Sequence, residues 1–553
     1  MSSPLTIDSL LADAVACHRA GRAAAAAAGY AAVLARDPGH GDALHLSGVV
    51  LAQRGRFAEA VTTMAQAAAL HPAAVSYRAN LAAAMRRLDG DALAAAVSAA
   101  ADALFDRGER LAAAALYRWA ALLRPGDVAA WFNGALARGG DGAAVSGFRH
   151  ALALNPRLLA AAAELGGIAF AARDYHGAAG WFRRALGAGT DAAAWRRLAD
   201  AVKGTGDYAG ACLIYRRSLC LDPADAGVWF NLGVTLGDAG RGGDAIGAYD
   251  RAVVLDPAKP LYRFNRAHRL LQAGRWADGW VDWESRLDGL VSVPRRGRPL
   301  WRGEPMPGRT LLFYAEQGHG DGIQFSRYIP LAAARSGARV VVECPAPLVR
   351  LFRRLPGVDA VYPLEQAPAF DAVAPLMSLP GLFGTTPETV PPSALPPAAP
   401  PERRPDGCRR VGLVWRSGDD TGDPRRSLPT AALASLLAVP GVEWIGLQMG
   451  PAAGTVPGLT DGTVGIDDFA DTARRMAGLD LMISVDTAAA HLAGSLGLPL
   501  WVLLRHDACW RWLLGRSDSP WYPTARLFRQ TSPDDWGPVV ADAAAALRAW
   551  GAP

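Results

Sequence analysis

Trp229-Phe230-Asn231-Leu232-Gly233, followed at fixed offsets by Ala245, Tyr249, Ala252 and Pro257, is the stretch on which the fold of the first half turns. One period earlier stand Trp195, Leu198, Ala199, Ala211, Tyr215, Ser218 and Pro223, and before them Leu165, Gly166, Ala178, Phe182 and Ala185, with Thr190 in the place of the proline. Further upstream the pattern returns in Ala144, Phe148, Ala151 and Pro156, in Tyr117, Ala120 and Pro125, in Gly48, Ala60, Met64, Ala67 and Pro72, and in Ala26, Tyr30 and Pro38. A period of about 34 residues with small, aromatic and proline positions predicts stacked helical hairpins. Small residues let the two helices of a hairpin approach, aromatics fill the groove between hairpins, and proline ends the second helix. These positions describe packing, so function has to lie elsewhere on the array.

The pattern resembles the tetratricopeptide repeat, in about seven units. That resemblance implies an all-α solenoid over residues 1–290 whose concave face receives a protein segment, with self-association as the rival use. Asn231 and Asn265, one repeat apart, are the candidates for binding the backbone of a protein acceptor, though asparagine there serves equally to cap local structure. The array closes in Trp276, Trp280, Trp283 and Arg286. A terminal repeat needs a special outer face, so these tryptophans are expected to pack on the next domain, with ligand binding as the alternative.

At 553 residues the chain exceeds a single core, and 51% apolar with 20% charged residues is a globular composition. A net charge of +5 over this length, without a dense basic run, argues against nucleic acid as partner. Six scattered cysteines without a C-x-x-C pair argue against a zinc site and a disulfide framework. Asp8 and Asp13 stand where a signal peptide carries positive charge, and no apolar run reaches ~18 residues. The expectation is a cytoplasmic protein without a membrane span. Lys203 and Lys259 are the only lysines, so any diphosphate held by the second half must meet arginine, histidine or backbone amides.

After the Pro- and Arg-rich stretch 291–308 the periodicity changes to short apolar runs separated by helix-length segments. Strands are predicted at 310–315, 339–343, 360–362 and 370–375, with helices through Arg335 and over 348–355. They form a first Rossmann-like lobe over 291–385. Pro391-Pro392, Pro396-Pro397 and Pro400-Pro401 mark 386–407 as a semi-rigid spacer between lobes. A second lobe over 408–553 carries strands at 411–415, 443–448, 481–485 and 500–504, with helices at 433–437 and 469–477. Two doubly wound α/β lobes bind ligands at the carboxyl ends of their strands.

Two turns carry the chemistry. Gly318-His319-Gly320-Asp321 follows the first strand and opens a helix, where glycines permit close approach of a ligand. Asp321 reads either as a helix cap or as a general base facing the cleft. Asp486-Thr487-Ala488-Ala489-Ala490-His491 again joins a buried strand to a small-residue helix, and Thr487, the free amides and His491 can converge on one anion while Asp486 orders the turn. A lone histidine on an alanine-rich helix is otherwise structural.

The two lobes resemble heptosyltransferase-like glycosyltransferases of the two-Rossmann (GT-B) architecture, and closely those preceded by tetratricopeptide repeats. The likeness runs from Arg309 to about Leu547 and rests on 316–321, on Arg425-Arg426-Ser427, on Asp486-Thr487 with His491, and on Trp510-Arg511-Trp512 and Ser519-Pro520-Trp521-Tyr522-Pro523. It implies inverting, metal-independent transfer from a nucleotide-sugar co-substrate, with no cofactor. Asp321 matches the base. Gly318, Gly320, Arg416, Arg425, Arg426, Ser427, Gln448, Asp486, Thr487, Ala488 and His491 are the donor-binding candidates, the first lobe being the acceptor side and the second the nucleotide-sugar side. Where relatives use a lysine on the phosphate, Arg425, Arg426 or Arg416 must serve, unless Arg425-Arg426 is a solvated loop. Arg505-His506-Asp507-Ala508-Cys509 and Arg416 depart from the pattern near the cleft. Protein acceptors, flagellin serine or threonine among them, follow from the resemblance. Transfer to a glycan or lipopolysaccharide core, and a non-catalytic scaffold, are the alternatives.

Overall fold

The computed structural model describes residues 6–187, 189–292, 297–398, 408–418, 424–450 and 456–550. The chain divides into two compact units, Met1–Pro223 and Ala224–Pro553. The first is a run of antiparallel helical hairpins: Ile7–Arg19 with Ala23–Leu34, Gly41–Gln53 with Phe57–Leu70, Gly90–Asp106 with Arg110–Leu123, Val128–Arg138 with Gly142–Leu154, Leu159–Ala171 with Tyr175–Ala185, and Ala192–Gly204 with Tyr208–Leu221. Asp89, Asp127, Asp141, Asp174, Asp191 and Asp207 each accept a first-turn amide and start their helices. The interval between Pro72 and Pro125 is longer than one period, and an additional helix, Val75–Met85, fills it by packing on Phe57–Leu70.

The repeat positions pack as their chemistry demands. A methyl group on Gly166 would lie 2.6 Å from the Phe182 ring, and one on Gly233 would lie 2.7 Å from the Tyr249 ring. Only a missing side chain admits the aromatic of the facing helix.

The second unit begins with two more hairpins, Ala226–Asp238 with Gly242–Leu255 and Pro260–Gln272 with Trp276–Trp283, and continues into two sheets. The first has β1 (Thr310–Tyr314), β2 (Arg339–Cys344), β3 (Ala360–Pro363) and β4 (Ala372–Pro375), all parallel in the order β3-β2-β1-β4. The second has β5 (Arg409–Val414), β6 (Val442–Gly446), β7 (Thr460–Asp461), β8 (Leu481–Val485), β9 (Leu500–Leu504) and β10 (Ala525–Arg529), all parallel in the order β10-β9-β8-β5-β6-β7. Chain order thus reverses between β1 and β4 in one sheet and between β5 and β8 in the other. In sheets of this kind ligands bind at such switch points, outside the carboxyl ends of the strands.

Several predicted elements differ in detail. The helix expected through Arg335 is interrupted by a tighter turn at Ser326–Tyr328, with Pro330 early in the segment that follows. The strand expected over 443–448 ends at Gly446, leaving Gln448 beyond it. β7, β10 and the terminal helix Gly537–Ala549 add to the expected set: β7 is two residues long, and β10 interrupts its apolar run with Arg526 and Arg529. The spacer is packed in its first half: Leu395 is buried, and the Ala398 amide donates to the Leu496 carbonyl at 2.9 Å. Residues 399–407, which include Pro400-Pro401, lie outside the described residues.

The expected boundary at 290 and the division by contacts at 223/224 fall two hairpins apart, because the tryptophans of the last repeat enter the core of the α/β domain. Trp276 stacks on Trp521 with ring centres 5.2 Å apart, Trp283 meets Trp510 edge-on at 5.6 Å, and Trp280 donates its indole N–H to the Thr385 carbonyl at 2.8 Å. One continuous apolar cluster includes all of them with Leu311, Phe313, Phe325 and Leu504.

Candidate functional site

The two switch points face each other. The turn after β1 leads into the helix His319–Phe325, and the turn after β8 leads into Ala488–Ser495; the two helices are in contact. A methyl group on Gly320 would lie 2.7 Å from His491 Cδ2 and 3.3 Å from the Ala488 Cα. Glycine at this position is what lets the first turn lie against the second.

Asp321 is half-buried and occupied on both oxygens. Its Oδ2 accepts the Gly318 amide at 3.0 Å, which is the capping expected of it, and its Oδ1 pairs with the Arg511 guanidinium. Arg511 arrives from the loop after β9 and also donates to Gln324 Oε1 at 2.8 Å and to Cys509 Sγ at 2.9 Å. Burial opposes its charge, but Asp321, and after it Cys509, raise its pKa above the usual arginine value. Capping and a charged role in the cleft are therefore compatible readings of the same carboxylate.

On the opposite side Asp486 is buried, with Oδ1 3.7 Å from His491 Nε2 and Oδ2 3.8 Å from Arg426 Nη1. Thr487 begins the helix without a side-chain cap, its hydroxyl lying 2.9 Å from Ser484 Oγ instead, so the first-turn amides at Ala488 and Ala489 have no partner within the helix. Of the three arginines offered for the missing lysine, the structure brings Arg426 to this turn, and among the described residues its buried Nε has no hydrogen-bond partner. Arg416 and Arg425 are exposed, and 419–423 lie outside the described residues.

His491 is buried, stacked on Trp512 with ring centres 5.4 Å apart, and its Nδ1 lies 2.8 Å from the Tyr522 hydroxyl. Burial first, and then the field of Arg511, push its pKa down to about 3 from 6.5. The imidazole is neutral at pH 7 and offers a hydrogen bond to an anion, not a charge. This has a consequence for stability. Between pH 6.5 and about 3 the unfolded chain binds a proton on this residue and the folded chain does not, so stability falls as pH falls through that window. The slope approaches ~1.4 kcal/mol per pH unit for such a group, and His268, also pushed down to about 3 by burial, adds to it. Urea titrations across the window should show a shallower pH dependence for His491→Gln; an unchanged slope would contradict the buried neutral imidazole.

Ser427 and Gln448 serve the framework. Gln448 Oε1 accepts the amides of Trp415 at 3.2 Å and Arg416 at 2.9 Å, and Ser427 Oγ accepts the Ser417 amide at 3.1 Å. Both hold the chain after β5 in shape. Gln448 also lines a small hollow with Trp415, Gly446, Thr460 and Asp461. Asn265 donates to the Leu261 carbonyl of its own helix at 2.9 Å, the local role left open for it, and Asn231 is half-buried on Ala226–Asp238. In the first unit a cavity of about 300 Å³ is lined by Asp102, Phe105, Asp106, Tyr117 and Asn133.

Arg511, Tyr522, Gln324 and Glu316 reach the site without having been assigned roles from sequence. Arg511, Tyr522 and Glu316 stand in the motifs 510–512, 519–523 and 316–321 that carry the resemblance, which left them without a role, and Gln324 stands in none. Nothing in periodicity says that Arg511 crosses to Asp321.

No protein-family profile matches the chain. It is similar to Protein FlbA of Caulobacter vibrioides, 26% identical over 312 residues, which make up 49% of this chain and 52% of that protein. The chain thus matches about half the length of this curated relative. Among solved structures, MamA 41-end from Desulfovibrio magneticus RS-1 is similar at 19% identity over 30% of this chain and 96% of that one, TM-score 0.29. YrrB, a TPR protein with an unusual peptide-binding site, is similar at 18% identity over 31% and 91%, TM-score 0.29. Among the described residues no helix is long and apolar enough to cross a membrane.

Proposed function

We propose that this protein is a glycosyltransferase that moves a sugar from a nucleotide-activated donor to a hydroxyl of a protein held by the repeats. The observation that carries the reading is the meeting of the two switch-point turns, with a carboxylate on one and uncapped amides, a neutral histidine and a half-buried arginine on the other. The departing diphosphate gains charge in the transition state, and such donors stabilise it where it forms.

Asp321 takes the proton of the acceptor hydroxyl, whose oxygen bonds to the anomeric carbon as the bond from that carbon to the diphosphate breaks. The electron pair leaves with the diphosphate, toward Ala488, Ala489, His491 and Arg426. Attack from the face opposite the leaving group inverts the anomeric centre. To act as base, Asp321 has to exchange its contact with Arg511 for one with the acceptor.

Calorimetric titration with a panel of nucleoside diphosphates and their sugars tests the donor site. At least one nucleotide series is expected to bind, with the diphosphate tighter than the monophosphate. A chain that binds none is a scaffold, and the proposal falls.

A further inference from the structure

Arg286 lies at the end of the last repeat and is fully buried together with Glu316, the first polar residue after β1. The contact is two-pronged, Nη2 to Oε1 at 2.6 Å and Nε to Oε2 at 3.2 Å. The same guanidinium donates to Ser378 Oγ at 2.7 Å, Glu284 Oε1 at 2.8 Å and the Trp283 carbonyl at 3.2 Å. A buried ion pair is a poor way to gain stability, since well-packed apolar side chains commonly do as well. What it supplies is direction: planar guanidinium against carboxylate fixes both distance and orientation. Glu316 leads directly into Gln317, held at φ 62°, and then into the Gly318 amide that Asp321 caps.

A second tether leaves the same hairpin. Gln272, buried at the end of Pro260–Gln272, donates Nε2 to the Ala508 carbonyl at 2.7 Å and accepts Arg269 Nη1 at 3.0 Å. Ala508 stands shortly before Arg511 on the loop after β9. Each tether therefore ends within five residues of one partner of the Asp321–Arg511 pair.

We propose that Arg286 and Gln272 are positioning residues: the last repeat holds from behind the two turns whose side chains meet as Asp321 and Arg511, and so sets the geometry of the reaction. The kinetic part of this inference rests on the glycosyltransferase reading; the geometric part does not.

The test uses the full chain with Arg286→Lys, which keeps a positive charge for Glu316 and loses the two-pronged register. Amide exchange over 316–322 is expected to rise by about tenfold or more, with exchange in β8 and β9 unchanged. Turnover of a bound nucleotide sugar is expected to fall roughly ten- to a hundredfold, the effect of a small misplacement, while the donor KM stays within about twofold. Unchanged exchange over 316–322, or loss of turnover matched by exchange rising throughout the unit, would overturn the proposal. Should Arg286→Lys fail to fold, Gln272→Met, which removes the donor at nearly constant volume, carries the test with exchange read over 508–512. A wild-type chain that turns over no nucleotide sugar overturns the glycosyltransferase reading alone, because the exchange results still decide the positioning role.

Discussion

Asp321→Asn is expected to lower sugar transfer by roughly 10²–10⁴-fold, the range of a positioned general base, while leaving affinity for the nucleotide donor within a few-fold. The structure explains why this substitution isolates the chemistry. An asparagine oxygen still accepts the Gly318 amide, so the turn keeps its cap. What disappears is the charge that faces Arg511 and that takes the proton in the proposed reaction. Calorimetry with the nucleotide and single-turnover transfer on the same preparation check both halves of the expectation. Transfer at the wild-type rate would remove Asp321 from the mechanism. Loss of donor binding in parallel would mean that the carboxylate supports the fold of the cleft and does not act as base.

The second large effect concerns where the chain can be cut. Removing residues 1–290 at the boundary read from sequence is expected to leave a fragment that does not fold, whereas removing 1–223 leaves one that does. The shorter fragment loses Trp276, Trp280 and Trp283, each buried in the core shared with both sheets. Truncating one buried tryptophan costs about 3–5 kcal/mol, and leaving Glu316 buried without Arg286 costs about 3–5 kcal/mol more. For three tryptophans and the broken pair the sum is roughly 12–20 kcal/mol, against the ~5–15 kcal/mol by which a domain is stable. A cooperative melt and a tryptophan near-ultraviolet signal for 224–553, and neither for 291–553, is the expected pair of results. A cooperative melt of 291–553 would show that the repeat is an accessory to the core. The cut at 223 is accordingly the one with which to ask whether residues 1–223 bind a protein acceptor.

The parts of this protein that were legible in its sequence are those governed by local spacing. The pairs Gly166 and Phe182, and Gly233 and Tyr249, sit at one separation within each hairpin, so a period in the chain becomes a period in space. β8 and β9 were readable to the residue because both are short apolar runs between turn residues, interrupted in β8 by Ser484 alone. The turns after β1 and β8 were readable because a polar cluster between a buried strand and a helix has to lie at the strand's carboxyl end. The additional helix Val75–Met85 was hidden because its composition is that of its neighbours, and only an overlong interval betrays it.

By itself, then, the sequence determined the repeat hairpins, the alternation of strands and helices, and the two turns that bear Asp321 and Asp486, since each depends on residues near one another in the chain. Tertiary structure alone decided which arginine meets which carboxylate. Arg426 reaches Asp486, Arg511 crosses to Asp321, and Arg286 reaches Glu316 from a different fold class altogether. A long, flexible cation has no periodic signature, and its partner is selected by the burial and geometry of elements that the chain brings together only on folding. The same reason moved the working boundary of the α/β domain: tryptophans that close a repeat array in sequence become, once packed, part of the core behind the site.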